Sequence, residues 1–199
     1  MGKFDQYAFS AREDFDEAAT REAFSHAVPL KTLVITCFDP RAAQAPELVA
    51  KYLGDVFPGE VLFDEKGNRI ASTATVFPIV VAGGRAVDAL RSIAIAQHLF
   101  GIENIVVVHH SHCGGTTFTA NGIIEAFKRE QHADISHLPH ESLCIADFEQ
   151  SLRSDVALIR GQPGTPAAAN IFGFFLEIDS QELVLVASDP GRPRNDNDR

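Results

Sequence analysis

The chain has 199 residues, 45% of them hydrophobic, with 27 acidic against 17 basic side chains and a formal net charge of −10. That length suits one well-buried core and hence one domain, 1–199, and the acidic excess disfavours nucleic acid and anionic membrane surfaces as partners. Three widely spaced cysteines, an opening Met1-Gly2-Lys3-Phe4-Asp5-Gln6 without a signal-peptide core, and no long apolar run argue against a disulfide framework and for metal or thiol chemistry in a cytoplasmic protein.

In chain order, the N-terminal arm (1–30) is expected to be helical over residues 10–26, where Phe15, Ala18, Ala19, Ala23 and Phe24 share a face, with Ser10 and Glu13 as a capping pair. Thr32 to Thr36 reads as a buried strand that ends in Cys37-Phe38-Asp39-Pro40-Arg41. Pro46 to Leu53 follows as a short helix closed by Gly54. Residues 60–71 read as a hairpin, two apolar runs about a polar turn at Gly67. Thr75 to Val81 is a strand in which Pro78 argues against a fully paired central position. Ala82-Gly83-Gly84 permits a tight turn or a close backbone approach. Val87, Leu90, Ala94 and His98 fall at helical spacing up to Gly101, ahead of a strand at Val106 to Val108, which makes a strand, helix, strand unit of the kind that builds parallel sheets. A helix is expected over 115–129, a loop over 130–143, a helix over 145–160 and a turn-rich break over 161–166. Antiparallel strands are expected over 171–178 and 183–186, with Phe172, Phe174 and Phe175 in the core, and a mobile tail over 188–199. The fold class is α/β, a mainly parallel β-sheet flanked by helices.

Chemistry concentrates where two of these strands stop. Val106-Val107-Val108 runs straight into His109-His110-Ser111-His112-Cys113-Gly114-Gly115, and in an open parallel sheet the loops at the carboxyl ends of strands carry the ligands. His110 and Cys113 can reach one soft cation, and Cys37 can join them from the end of the earlier strand. Two thiolates and an imidazole suit Zn²⁺ and leave a fourth position for water, whereas four protein ligands would make a staple. Asp39 lies two residues after Cys37, and Arg41 two further on can hold its carboxylate in a bidentate ion pair that keeps it ionised and aimed. The same spacing permits a rival arrangement in which Asp39 leaves Arg41 and closes the metal site.

Cys-x-Asp-x-Arg at 37–41, His-x-x-Cys at 110–113 with its glycine pair, and Ala82-Gly83-Gly84 followed by Leu90-Arg91-Ser92 together resemble the β-class carbonic anhydrases, over roughly Lys31 to Phe127. The resemblance implies a four-stranded, mainly parallel sheet with flanking helices and at least a homodimer. It also implies a zinc lyase that hydrates carbon dioxide reversibly to bicarbonate. Cys37, His110 and Cys113 would ligate Zn²⁺, and Asp39 with Arg41 would orient a zinc-bound hydroxide. Two departures stand out: Val80-Val81 replaces the family's usual Arg-Asn in a segment expected near the site, and the 60–71 hairpin is extra. Hydrolysis of carbonyl sulfide or carbon disulfide on the same scaffold is an alternative activity, and a zinc-stabilised interaction or sensor protein without turnover is an alternative class. His109 and His112 flank a ligand and are candidates for carrying protons. His132, His137, His140 and Cys144 are irregularly spaced and read as solvated loop residues rather than a second metal site.

Overall fold

A computed structural model of the chain describes residues 2–192. Two short 3₁₀ turns, Asp5–Tyr7 and Phe9–Ala11, precede helix α1, Glu17–Ala27. The expected helix start at Ser10 is corrected here. Ser10 lies inside the second turn, whereas Asp16 has extended backbone and accepts the Ala19 N–H at 2.8 Å, so Asp16 is the cap. Strand β1, Thr32–Cys37, is buried along its whole length. Helix α2, Ala45–Leu53, has Pro46 in its first turn and ends at Gly54 with left-handed backbone. Strands β2, Val61–Phe63, and β3, Arg69–Ser72, form an antiparallel hairpin of their own.

Strand β4, Val76–Val81, leads through Ala82-Gly83-Gly84 and a 3₁₀ turn to helix α3, Leu90–Phe100, and strand β5, Asn104–His110. Helix α4 is Ala120–Glu130, not 115–129. Gly114–Thr116 closes a 3₁₀ turn, and Thr119 then caps the helix by accepting the Gly122 N–H at 3.0 Å. Helix α5, Phe148–Arg160, likewise starts later than expected, because Asp147 accepts the Gln150 N–H at 2.7 Å while the Ile145 N–H is committed to the Gly115 carbonyl. Strands β6, Asn170–Glu177, and β7, Glu182–Asp189, complete the order. Ser188 and Asp189, expected in the tail, belong to β7, where the Asp189 carboxylate meets Arg160 at 3.1 Å. The rest of that tail from residue 193 lies outside the described residues.

The main sheet has the order β4-β1-β5-β6-β7. Its first four strands are parallel and β7 pairs antiparallel with β6, so the sheet carries one strand more than the four implied by resemblance. Strand β4 is an edge, which is where a strand containing Pro78 can sit without losing a ladder bond on both sides. Alternation along β1 and β5 sends Leu33, Ile35, Ile105 and Val107 into one apolar layer with Ile93 of α3 and Leu152, Val156 and Ile159 of α5. Val34, Val106 and Val108 face the opposite layer with Val49 of α2 and with Phe174 and Leu176 of β6. Phe24 of α1 rests on Phe100 of α3, which docks the N-terminal helix on this three-layer core. With both faces covered, the polar chemistry is left at the carboxyl ends of β1 and β5.

Candidate metal centre

Cys37 is the last residue of β1, and His110 the last of its central neighbour β5, with Cys113 three residues on in the loop. Parallel pairing therefore brings both strand ends to the same edge of the sheet. The Cys37 and Cys113 sulfurs stand 4.0 Å apart, and one ligand atom from each of Cys37, His110 and Cys113 lies within 4.8 Å of the others. All three side chains are buried. Among the described residues this is the one group of three or more such ligands within reach of a single ion, and His132, His137, His140 and Cys144 form no second one.

Gly84 makes room for that convergence. It has φ +66°, and a Cβ there would come within 2.6 Å of the Val108 carbonyl and 3.1 Å of the Cys37 nitrogen. A side chain at 84 would push apart the two strand ends that carry Cys37 and His110. The turn after β4 thus packs its backbone under the centre.

The donor set fits Zn²⁺. The His110 ring donates from Nδ1 to the Ser111 carbonyl at 2.9 Å, which leaves Nε2 with a free lone pair. That Nε2 is buried and has no hydrogen-bond partner. An orphaned buried acceptor is costly in an apolar setting, and a cation at this point satisfies it. Burial also pushes the Cys113 thiol up to about 11, with Cys37 adding to the effect, so a thiolate here needs a cation beside it.

Asp39 stands at the open side of this cluster, one of its carboxylate oxygens 4.0 Å from His110 Nε2. Its own N–H points back to Cys37 Sγ at 3.4 Å. The bidentate pair expected with Arg41 is present: Nε donates to Oδ1 at 3.0 Å and Nη2 to Oδ2 at 2.7 Å, with the Arg41 backbone N–H adding a third bond at 3.0 Å. These hydrogen bonds hold the Asp39 carboxyl well below the usual carboxylate range. Arg41 also donates to the His112 carbonyl at 3.0 Å, so one guanidinium joins the Cys37 loop to the His110–Cys113 loop. That second contact had no signal in the sequence, because it involves a backbone oxygen 71 residues away.

The two flanking histidines separate. His109 is fully buried, bonds Ser151 through Nε2 at 2.9 Å and lies 3.6 Å from Asp155. Burial, with Arg85 adding, lowers its pKa to about 3, which keeps the ring neutral at physiological pH. His112 is exposed, at φ +55°, and stays a candidate for carrying protons.

A cavity of about 690 Å³ opens from the cysteines and Asp39. Its lining is largely apolar and includes Phe118, Leu138 and Leu143, with Ile145 packed against Cys37 and Cys113. Val80 and Val81 do not line it: Val80 is 55% exposed and Val81 packs on the core. The segment itself lies beside the site as expected, since Val81 pairs with Cys37 in the sheet and the next residues, Ala82 and Gly83, line the cavity. Arg85 and Asp155 went unnoticed in the sequence. Arg85 lines the cavity and makes a buried bidentate pair with Asp155 of α5 at 3.0 and 3.2 Å. The available signal was an aspartate inside the apolar stripe Leu152, Val156, Ile159 of α5, a place where a charge needs a buried partner.

A mainly parallel sheet flanked by helices, with a Cys-His-Cys cluster within reach of one metal ion and an Asp-Arg pair at its strand ends, defines an α/β protein of carbonic anhydrase type. The family model for carbonic anhydrase matches residues 32–152, and the chain belongs to the β-carbonic anhydrase family. β-Carbonic anhydrase 1 of Mycobacterium bovis and of Mycobacterium tuberculosis are each 30% identical to it over 100 residues. That match spans 50% of this chain and 59% of the relative. Among solved structures, a carbonic anhydrase from Streptococcus mutans is 25% identical with a TM-score of 0.62, covering 94% of this chain and 99% of that one. An apo carbon disulfide hydrolase, 21% identical with a TM-score of 0.58 over 86% and 85% of the two chains, shares the fold.

Proposed function

We propose that the protein catalyses the reversible hydration of carbon dioxide to bicarbonate at a zinc centre held by Cys37, His110 and Cys113. The observation that carries this reading is the buried, unpartnered His110 Nε2 beside two cysteine sulfurs 4.0 Å apart, with an ionised Asp39 at the open side. Zinc bound there supplies the Lewis acidity that makes water a usable nucleophile at neutral pH. Everything else falls to the chain's own groups. Asp39, kept ionised by Arg41, can only accept hydrogen bonds, so it takes one from the attacking oxygen and turns that oxygen's lone pair toward the substrate carbon. Water and carbon dioxide give bicarbonate and one proton, which leaves toward solvent past the exposed His112. The apolar wall admits a neutral linear molecule at no cost in charge desolvation.

The same cavity favours a second reading, hydrolysis of carbonyl sulfide or carbon disulfide. Its one lining arginine, Arg85, commits four hydrogen bonds to Asp155 and to the carbonyls of Glu141 and Cys144, so it offers little to a bound anion. The protein acts in the cytoplasm as a homodimer or larger assembly. Exposed Val61, Leu62 and Phe63 of the hairpin, together with exposed Phe38, support self-association. No helix among the described residues is long and apolar enough to cross a membrane.

Stopped-flow carbon dioxide hydration on zinc-loaded protein, with sulfide release from carbon disulfide measured on the same sample, tests the proposal. Hydration supports the first reading and sulfide release alone the second. Neither activity in a folded, zinc-replete sample would leave a non-catalytic zinc protein.

A further inference from the structure

One wall of the cavity comes from residues 138–145, a stretch without an α-helix or strand that ends with Ile145 packed against Cys37 and Cys113. Its own ties are few. One 3₁₀ turn spans His140–Ser142, the Ile145 N–H reaches the Gly115 carbonyl at 2.8 Å, and His140 bonds Asn121 at 2.9 Å. What fixes its middle is Arg85. The Nη1 of Arg85 donates to the Glu141 carbonyl and to the Cys144 carbonyl, both at 3.1 Å. The opposite edge of the guanidinium is clamped by Asp155, which also accepts the Ala86 N–H at 3.2 Å.

We infer that Arg85 is a positioning residue, which fastens the 141–145 wall to helix α5 through Asp155 and so holds Leu143 in the cavity lining and Ile145 against Cys37 and Cys113. The inference rests on reading the cavity as the substrate site. A planar guanidinium suits the task because its donors point in fixed directions toward a carboxylate on one side and two carbonyls on the other. Asp155 keeps the arginine from turning into the cavity. The pair is nearly inaccessible, with side chains 7% and 2% exposed, so the tie does not compete with water. Arg85 itself directly follows Gly84, whose backbone lies against Cys37 and Val108, so wall and metal ligands are referenced to the same turn.

The test is Arg85→Lys in the full-length, zinc-loaded protein. Lysine keeps a charge opposite Asp155, but a single ammonium cannot span the carboxylate and both carbonyls. Amide exchange at Ser142, Leu143 and Ile145 should accelerate on the order of tenfold, the scale of one hydrogen bond to a charged group. KM for carbon dioxide should rise about threefold or more while kcat and zinc content stay within about twofold, the pattern for lost substrate positioning without loss of chemistry. If the lysine variant does not fold, the charge-free pair Arg85→Met with Asp155→Leu carries the same test without a stranded charge. Unchanged exchange over 142–145 in either folded variant would overturn the tie, and faster exchange with unchanged KM would overturn its role toward substrate. Were the parent itself inactive, the proposed reaction would fail while the exchange readout still decided the tie.

Discussion

Two arginine–aspartate pairs border the same cavity, with nearly the same bidentate geometry and opposite environments. Arg41 is 54% exposed and its partner Asp39 15%, whereas Arg85 and Asp155 are 7% and 2% exposed. In the first pair hydrogen bonds from Arg41 dominate and draw the Asp39 carboxyl down; in the second, burial dominates and raises Asp155 in spite of Arg85. The exposed pair can open at modest cost, because water replaces the lost contacts. The buried one cannot release either partner without stranding a charge, so it serves as a fixture. Geometry alone does not separate the two pairs; water access does.

Removing one partner from each pair should break them in different currencies. The largest effect is expected from Asp155→Leu, which leaves Arg85 buried and unpaired and should cost about 3–5 kcal/mol of stability by urea denaturation. The equivalent loss of Asp39 should cost no more than about 1 kcal/mol, the scale of an exposed pair. Similar losses at the two positions would erase the distinction. Asp39→Asn, in turn, should lower turnover on the order of a hundredfold with zinc content kept, the scale of a positioned acid–base group. Activity within a few-fold of the parent would make Asp39 structural.

A smaller effect concerns acid. The depressed Asp39 carboxyl contributes stability that is fully present above the ordinary carboxylate pKa of about 4 and is lost as pH falls through its lower folded-state value. The stability gap between parent and Asp39→Asn should therefore be constant from pH 7 to about 5 and shrink below about 4. A gap that widens with acid would contradict the sign. Smallest of all should be Val80→Arg, an exposed edge-strand position outside the cavity, with stability changed by about 0.5 kcal/mol or less and the ratio of hydration to sulfide release unaltered. A shift in that ratio would bring Val80 back into the site.

The two pairs also show what a sequence can disclose. Asp39 and Arg41 were legible because a local spacing, two residues apart at the end of an apolar run, places both side chains together. Cys37, His110 and Cys113 were legible for a related reason: each follows a β-branched stretch that reads as a strand, and parallel strands end on the same side. Arg85 and Asp155 are 70 residues apart and meet only because α5 packs on the turn after β4, a tertiary fact with no local pattern. The false start of α1 at Ser10 is of the same kind as the late starts of α4 and α5. Several residues near each boundary could cap, and the choice among Ser10, Asp16, Thr119 and Asp147 is settled by which backbone is already extended. Val80 and Val81 lie in the strand beside Cys37, as their place in the motif implies, but a motif does not disclose which way a side chain at a sheet edge points.

The proposed chemistry requires that the three side chains at the ends of β1 and β5 hold the metal together. Metal analysis of the purified parent beside Cys113→Ser tests that directly. One zinc per parent chain and loss of most of it in the variant, with the fold retained by circular dichroism, is the expected result; full zinc retention in Cys113→Ser would remove Cys113 from the ligand set and contradict the assignment.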